Sequence, residues 1–110
     1  REGIEACPDA YEVLNNYAYL LSTSPKKGIR NGDEAVRVAT LAVEKSGGLR
    51  PGILDTLAGA HAENGDFQAA VRISRRAIDL AMEKPMPDVI LDALRENLNR
   101  FERGETAPHE

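Results

Sequence analysis

Residues 53–78 read ILDTLAGAHAENGDFQAAVRISRRAI. Ile53, Leu54, Leu57, Ala58 and His61 recur at three- and four-residue spacing, the period of one helix face. Asn64-Gly65-Asp66 then interrupts the pattern. Gly65 suits the left-handed position that ends a helix, and Asp66 suits the cap of the next. Phe67, Ala70, Val71, Ser74, Ala77, Ile78 and Ala81 resume the helical period. Two amphipathic helices joined by so short a turn are expected to fold back on each other as an antiparallel hairpin.

The same grammar extends both ways. Upstream, Pro51 fits the first turn of this hairpin, and Gly47-Gly48 closes an earlier helix. That helix starts near Asn31, with Glu34 as its capping partner, and its stripe is Ala35, Val38, Ala39, Ala42 and Val43. A first helix begins near Asp9, which has capping-box spacing to Glu12, with Pro8 barring extension. Val13, Leu14, Tyr17, Ala18, Leu20 and Leu21 give it one broad apolar face, and Ser22 to Pro25 stop it. Lys26, Lys27, Gly28 and Asn31-Gly32 make a long polar connection. Downstream, the fourth helix ends before Pro85, and Pro87-Asp88 open a fifth with a stripe of Ile90, Leu91, Leu94, Leu98 and Phe101, closed by Gly104. No stretch alternates as a strand does. The expectation is an all-α domain over about 9–103: hairpins at about 9–47 and 51–84 and a cap helix at about 88–103. Residues 1–8 read as a stump or linker and 104–110 as a frayed tail.

Composition supports this. Of 110 residues, 42% are hydrophobic and only 5% aromatic, which favours close-packed helices over a β-sandwich. The net charge of −4 makes a phosphate backbone a poor default partner. Cys7 is the single cysteine, so neither an internal disulfide nor a thiolate zinc cluster is available. The longest apolar or aromatic run, Tyr17 to Leu21, is far below the ~20 residues of a membrane span. No targeting signal is visible and the chain begins with Arg1 in place of Met, which leaves the compartment open.

A repeat underlies the helices. Ala35, Ala39 and Ala42 step by 35 residues onto Ala70, Ser74 and Ala77. Leu14, Tyr17, Ala18 and Leu21 step by 40 onto Leu54, Leu57, Ala58 and His61, the extra length lying in the Ser22–Gly32 connection. A two-helix unit of about 34 residues resembles the tetratricopeptide repeat. Leu54, Leu57, Ala58 and His61 stand at that family's large-large-small-large positions, Gly65-Asp66 at its turn, and Ala70, Ser74 and Ala77 on its second helix. His61 replaces the usual aromatic, Ser74 the usual large residue, and Met82 stands near the usual closing proline. The resemblance implies a short right-handed solenoid, closed by the fifth helix, that serves as a protein-interaction scaffold and not as an enzyme. Two units fall below the usual minimum of about three. That points to self-association, or to Arg1–Pro8 as the stump of a longer array.

The resemblance also implies where a partner sits: in a concave groove lined by the first helix of each hairpin. The residues beside the packing stripes there are Glu12, Asn15, Asn16, Tyr19, Ser22 and Thr23, then Asp55, Thr56, Gly59, Ala62 and Glu63. Of these, Glu12, Asn15, Asn16, Tyr19, Asp55, Thr56 and Glu63 carry the partner-binding expectation. Asn offers donor and acceptor together, which suits a peptide backbone. Tyr19 offers flat apolar area with a polar tip. Glu12, Asp55 and Glu63 disfavour an acidic peptide tail, so a neutral or basic one is expected. Any of these side chains equally fits a solvated helix surface.

Catalytic patterns are weak. His61 lies in a packing stripe, His109 is in the tail, and no Glu-x-x-His occurs. Gly47 to Gly52 follows a helix and matches no phosphate loop. No catalytic residue, metal ligand or cofactor is expected. The rival is a helix-turn-helix DNA reader, with Arg72, Arg75 and Arg76 on its second helix. Net charge and the 35-residue echo stand against it, so no nucleic-acid partner is expected. Homo-oligomerisation, or a structural role in a larger protein, is the alternative to peptide binding.

Overall fold

Alanines set the spacing of the helices. The computed structural model describes residues 10–23, 32–83 and 87–106. Their helices are α1 (Ala10–Thr23), α2 (Gly32–Ser46), α3 (Pro51–Glu63), α4 (Phe67–Met82) and α5 (Asp88–Glu102), with no strand among the described residues. Eleven of the eighteen buried hydrophobics among them are alanine, so the axes approach closely. Ala18, Ala35, Ala39, Ala58, Ala60, Ala70 and Ala77 are completely buried.

The turns form as local chemistry requires. Gly65 adopts φ +88°, and the Asp66 carboxylate accepts the Ala69 amide at 3.1 Å. Gly47, Gly48 and Gly104 also take positive φ behind α2 and α5. Pro51 opens α3, where its missing N–H costs nothing. Gly32 is the first residue of α2 and not part of a loop; a Cβ there would stand 3.0 Å from the Asn64 backbone. Only glycine lets the start of α2 lie against the α3–α4 turn. The expected Asp9 and Asn31 caps, the connection through Pro25 and Lys26 to Arg30, Pro85, Cys7 and His109 lie outside the described residues.

Helix α1 packs on α2 and α3 on α4, α2 bridges to α3, and α5 packs on α4. Helix α1 also touches α3, and α3 touches α5, whereas α2 and α4 do not meet. The helices therefore form two layers, α1-α3-α5 and α2-α4. The smallest extent of the body, 21 Å, is that of two helix diameters. One cluster joins Ala18, Leu21, Ala35, Val38, Ala39, Leu57 and Ala60, and a second joins Ala58, Ala62, Ala70 and Phe101.

The 35-residue step has a physical counterpart. Ala35 and Ala70, Ala39 and Ser74, and Ala42 and Ala77 are all fully buried. The broad apolar face expected of α1 needs correction. Ala18 and Leu21 are buried, but Val13, Tyr17 and Leu20 keep 57%, 46% and 49% of their surface exposed. The contacts with α2 and α3 use only half of the stripe. Ile90 on α5 is likewise exposed, while Leu94 and Phe101 are buried.

Ser74 breaks the alanine pattern at a cost. Its Oγ is enclosed and has no hydrogen-bond partner among the described residues. Burying an unpaired hydroxyl costs roughly 1–3 kcal/mol, and Ala is also the better helix former. Ser74→Ala, which repeats the residue found at Ala39, is expected to stabilise the fold by about 1 kcal/mol in urea unfolding. A neutral or destabilising result would mean that the hydroxyl is satisfied in solution.

Candidate functional site

Clefts open among the described residues, and two of them bear on function. The first lies where α1 and α3 begin, beside the α2–α3 turn. Its volume is 710 Å³, and its walls include Tyr11, Glu12, Asn15, Asn16, Leu49, Arg50 and Ile53. Arg50 extends over the Tyr11 ring at 4.7 Å, a cation–π contact that holds the guanidinium at the rim. Helix α3 has no side-chain cap, since Arg50 precedes Pro51 in extended conformation. The Gly52 amide in the wall therefore has no intrahelical acceptor. Asn15 Oδ1 is enclosed there and has no hydrogen-bond partner among the described residues. Rotation of the Asn15 amide into the cleft would let a donor ligand satisfy this oxygen.

The structure brings Glu12, Asn15 and Asn16 together in this cleft and separates the other expected residues from it. Tyr19 is exposed on α1 beyond the cleft. Thr56 is buried, its hydroxyl donating to the Gly52 carbonyl at 3.1 Å. Glu63 ends α3 and is partly buried. Ser22, Gly59 and Ala62 are buried, and Ser22 Oγ donates to the Ala18 carbonyl at 3.0 Å. Asp55 is turned toward α5, where Asn97 Nδ2 donates to its two carboxylate oxygens at 3.4 and 3.1 Å. Tyr11, Arg50 and Ile53 were not expected. The only sequence sign of them is the Pro51-Gly52 helix start, which no side chain caps.

The second cleft, of 630 Å³, runs between α4 and α5 with Phe67, Val71 and Phe101 as its apolar floor. Gln68, Arg72, Arg75, Arg76, Asp79 and Glu102 surround them. Arg75 pairs with Glu102 at 2.9 Å. His61 lies near this region; burial lowers its pKa, Asp66 partly offsets that, and Arg72 adds to it. Among the described residues no group of three or more His, Cys, Asp and Glu is placed to hold a metal ion. None of the described helices is long and apolar enough to cross a membrane. No family model, curated protein or solved structure matches the chain.

Burial raises the Asp55 pKa from 3.8 to about 6, and the Asn97 hydrogen bond only partly offsets this. Between those values the folded state binds more protons than the unfolded one, so Asp55 makes stability fall as pH rises. At neutral pH the ionised carboxylate costs roughly 2–3 kcal/mol. Asp55→Asn keeps an acceptor for Asn97 and removes the titration. Its advantage over wild type is expected to grow by about 2 kcal/mol between pH 4 and pH 7 in paired denaturation curves. The contribution of His61 is common to both proteins and cancels. A constant difference across that range would place the Asp55 pKa near its ordinary value.

Proposed function

We propose that this domain is a protein-interaction scaffold, a short tetratricopeptide-like solenoid that holds an extended peptide in the cleft between α1 and α3. The solenoid reading draws on three observations: the matched burial at the 35-residue step, the contact of α1 with α3 across α2, and the fifth helix closing the array. Binding in place of catalysis is proposed because the cleft offers hydrogen-bonding groups without a nucleophile and base in contact.

The observation that carries the peptide reading is Asn15 Oδ1, which has no partner among the described residues and belongs to a side chain of the cleft wall that can turn toward a ligand. A peptide N–H is a suitable donor for it, and Asn16 beside it supplies both donor and acceptor for the same backbone. Leu49 and Ile53 provide apolar contact. Glu12 and Arg50 balance each other's charge at the cleft, so it favours an uncharged segment.

Displayed peptide libraries selected on wild type and re-tested on variants check this. Asn15→Ala with Asn16→Ala is expected to weaken the selected peptides by about tenfold, the worth of one or two hydrogen bonds. Tyr19→Ala, outside the cleft, is expected to leave them unchanged. Retention of every peptide by a folded double variant would move binding to another face.

A second reading rests on the exposed apolar residues of α1. Val13, Tyr17 and Leu20 lie one helical turn apart and stay about half exposed. Such a stripe favours docking of another helix, from a second copy or from a neighbouring hairpin. Sedimentation of wild type is expected to show concentration-dependent association that Val13→Lys with Leu20→Lys abolishes. A wild type monomeric at about 100 µM, well above an ordinary dimer constant, would dismiss self-association.

A further inference from the structure

We propose that the α4–α5 cleft is a second, independent docking site, for an extended acidic peptide that carries two carboxylates and flanking apolar side chains on one face. The basis is local charge opposed to that of the whole chain. The protein has 18 acidic and 14 basic residues, yet this cleft presents three arginines against Asp79 and Glu102. Glu102 neutralises only Arg75. Arg72 and Arg76 are exposed and make no ion pair with the described residues.

The geometry selects the pattern. Arg72 and Arg76 are four residues apart on α4, so their side chains leave the helix about 5–6 Å from each other. Alternate side chains of an extended peptide are about 6.5–7 Å apart and share one face. Two alternating carboxylates thus meet two arginines, and apolar residues at the next alternate positions, on that same face of the peptide, meet Phe67 and Val71, which are half-buried over Phe101. Charged rim and apolar floor are then both used. A nucleic acid uses only the first, and its phosphates would face Asp79 and Glu102. This site differs from the α1–α3 cleft in residues and in charge, so each stands or falls separately.

The experiment is fluorescence anisotropy with a labelled peptide that carries glutamate at two alternate positions and leucine and phenylalanine at the next alternate positions on either side, with serine between them. Wild type is expected to bind it, and severalfold more weakly as salt rises from about 50 to about 300 mM. Arg72→Glu with Arg76→Glu is expected to weaken binding at least about tenfold with thermal unfolding unchanged, since both side chains are exposed and unpaired. Should that variant misfold, Arg72→Gln with Arg76→Gln is expected to weaken binding about threefold to fivefold. Lys45→Glu with Arg95→Glu makes the same charge change elsewhere and is expected to leave affinity within about twofold. The proposal is overturned if wild type fails to bind the peptide, if the control pair weakens it equally, or if the glutamine version binds as well. Tighter binding of duplex DNA through the same arginines would also overturn it, in favour of a phosphate-reading surface.

Discussion

Close approach of helices across small side chains is the constraint on which the rest depends. Where α2, α3 and α4 pack, the contact residues are chiefly Ala35, Ala39, Ala42, Ala58, Ala60, Ala70 and Ala77. Each alanine buries little apolar area, so the seams gain more from shape fit than from transfer free energy. The larger contributions come from a few residues within and beside these seams: Leu21, Ile53, Leu54, Leu57, Leu94 and Phe101. Such seams do not tolerate bulk. The same geometry explains Gly32, whose missing Cβ lets the first turn of α2 rest on the Asn64 backbone.

The layering then dictates where recognition can occur. With α1, α3 and α5 in one layer and α2 and α4 in the other, clefts open where a helix end leaves its neighbour. One opens beside the α2–α3 turn and exposes amide chemistry: Asn15, Asn16 and the uncapped start of α3. The other opens between α4 and α5 and exposes guanidinium chemistry over an apolar floor. The chain is acidic overall, so the arginine cleft is a local inversion of its field. Local charge and not net charge sets which ligand each cleft accepts.

Much of the fold was legible because it is written in short-range chemistry. Gly65 and Asp66 announce their turn and cap within three residues, and Pro51 and Gly104 bound helices by their own backbone limits. The 35-residue echo is legible because identical packing positions demand similarly small residues. What was not legible depends on distant partners. Periodicity marks Val13, Tyr17 and Leu20 as one face with Ala18 and Leu21, but it does not say how much of that face meets α2 and α3. Asp55 looked like a groove residue because its partner, Asn97, is 42 positions away. Glu12, Asn15 and Asn16 were read as one wall of a groove shared with Asp55, Thr56 and Glu63 of α3. Their opposite wall, Arg50 and Ile53, required knowing how α3 sits against α1.

The Asp55–Asn97 contact shows why a fold retains a group that costs it stability. An apolar pair at this point would bury comparable area and spare the carboxylate its desolvation. It would define the register of α5 on α3 by shape fit alone, without a directional contact. A carboxylate accepting from one amide has a single good register, and displacement of α5 by a turn would strand Asp55. Helices α3 and α5 touch lightly, while Phe101 anchors the other end of α5 beside α4. Two unlike contacts on one helix, one positional and one apolar, fix both its register and its tilt. That placement in turn sets the width of the arginine cleft, whose wall is α5. The Asp55 carboxylate therefore contributes to the position of α5, the helix that forms one wall of that cleft.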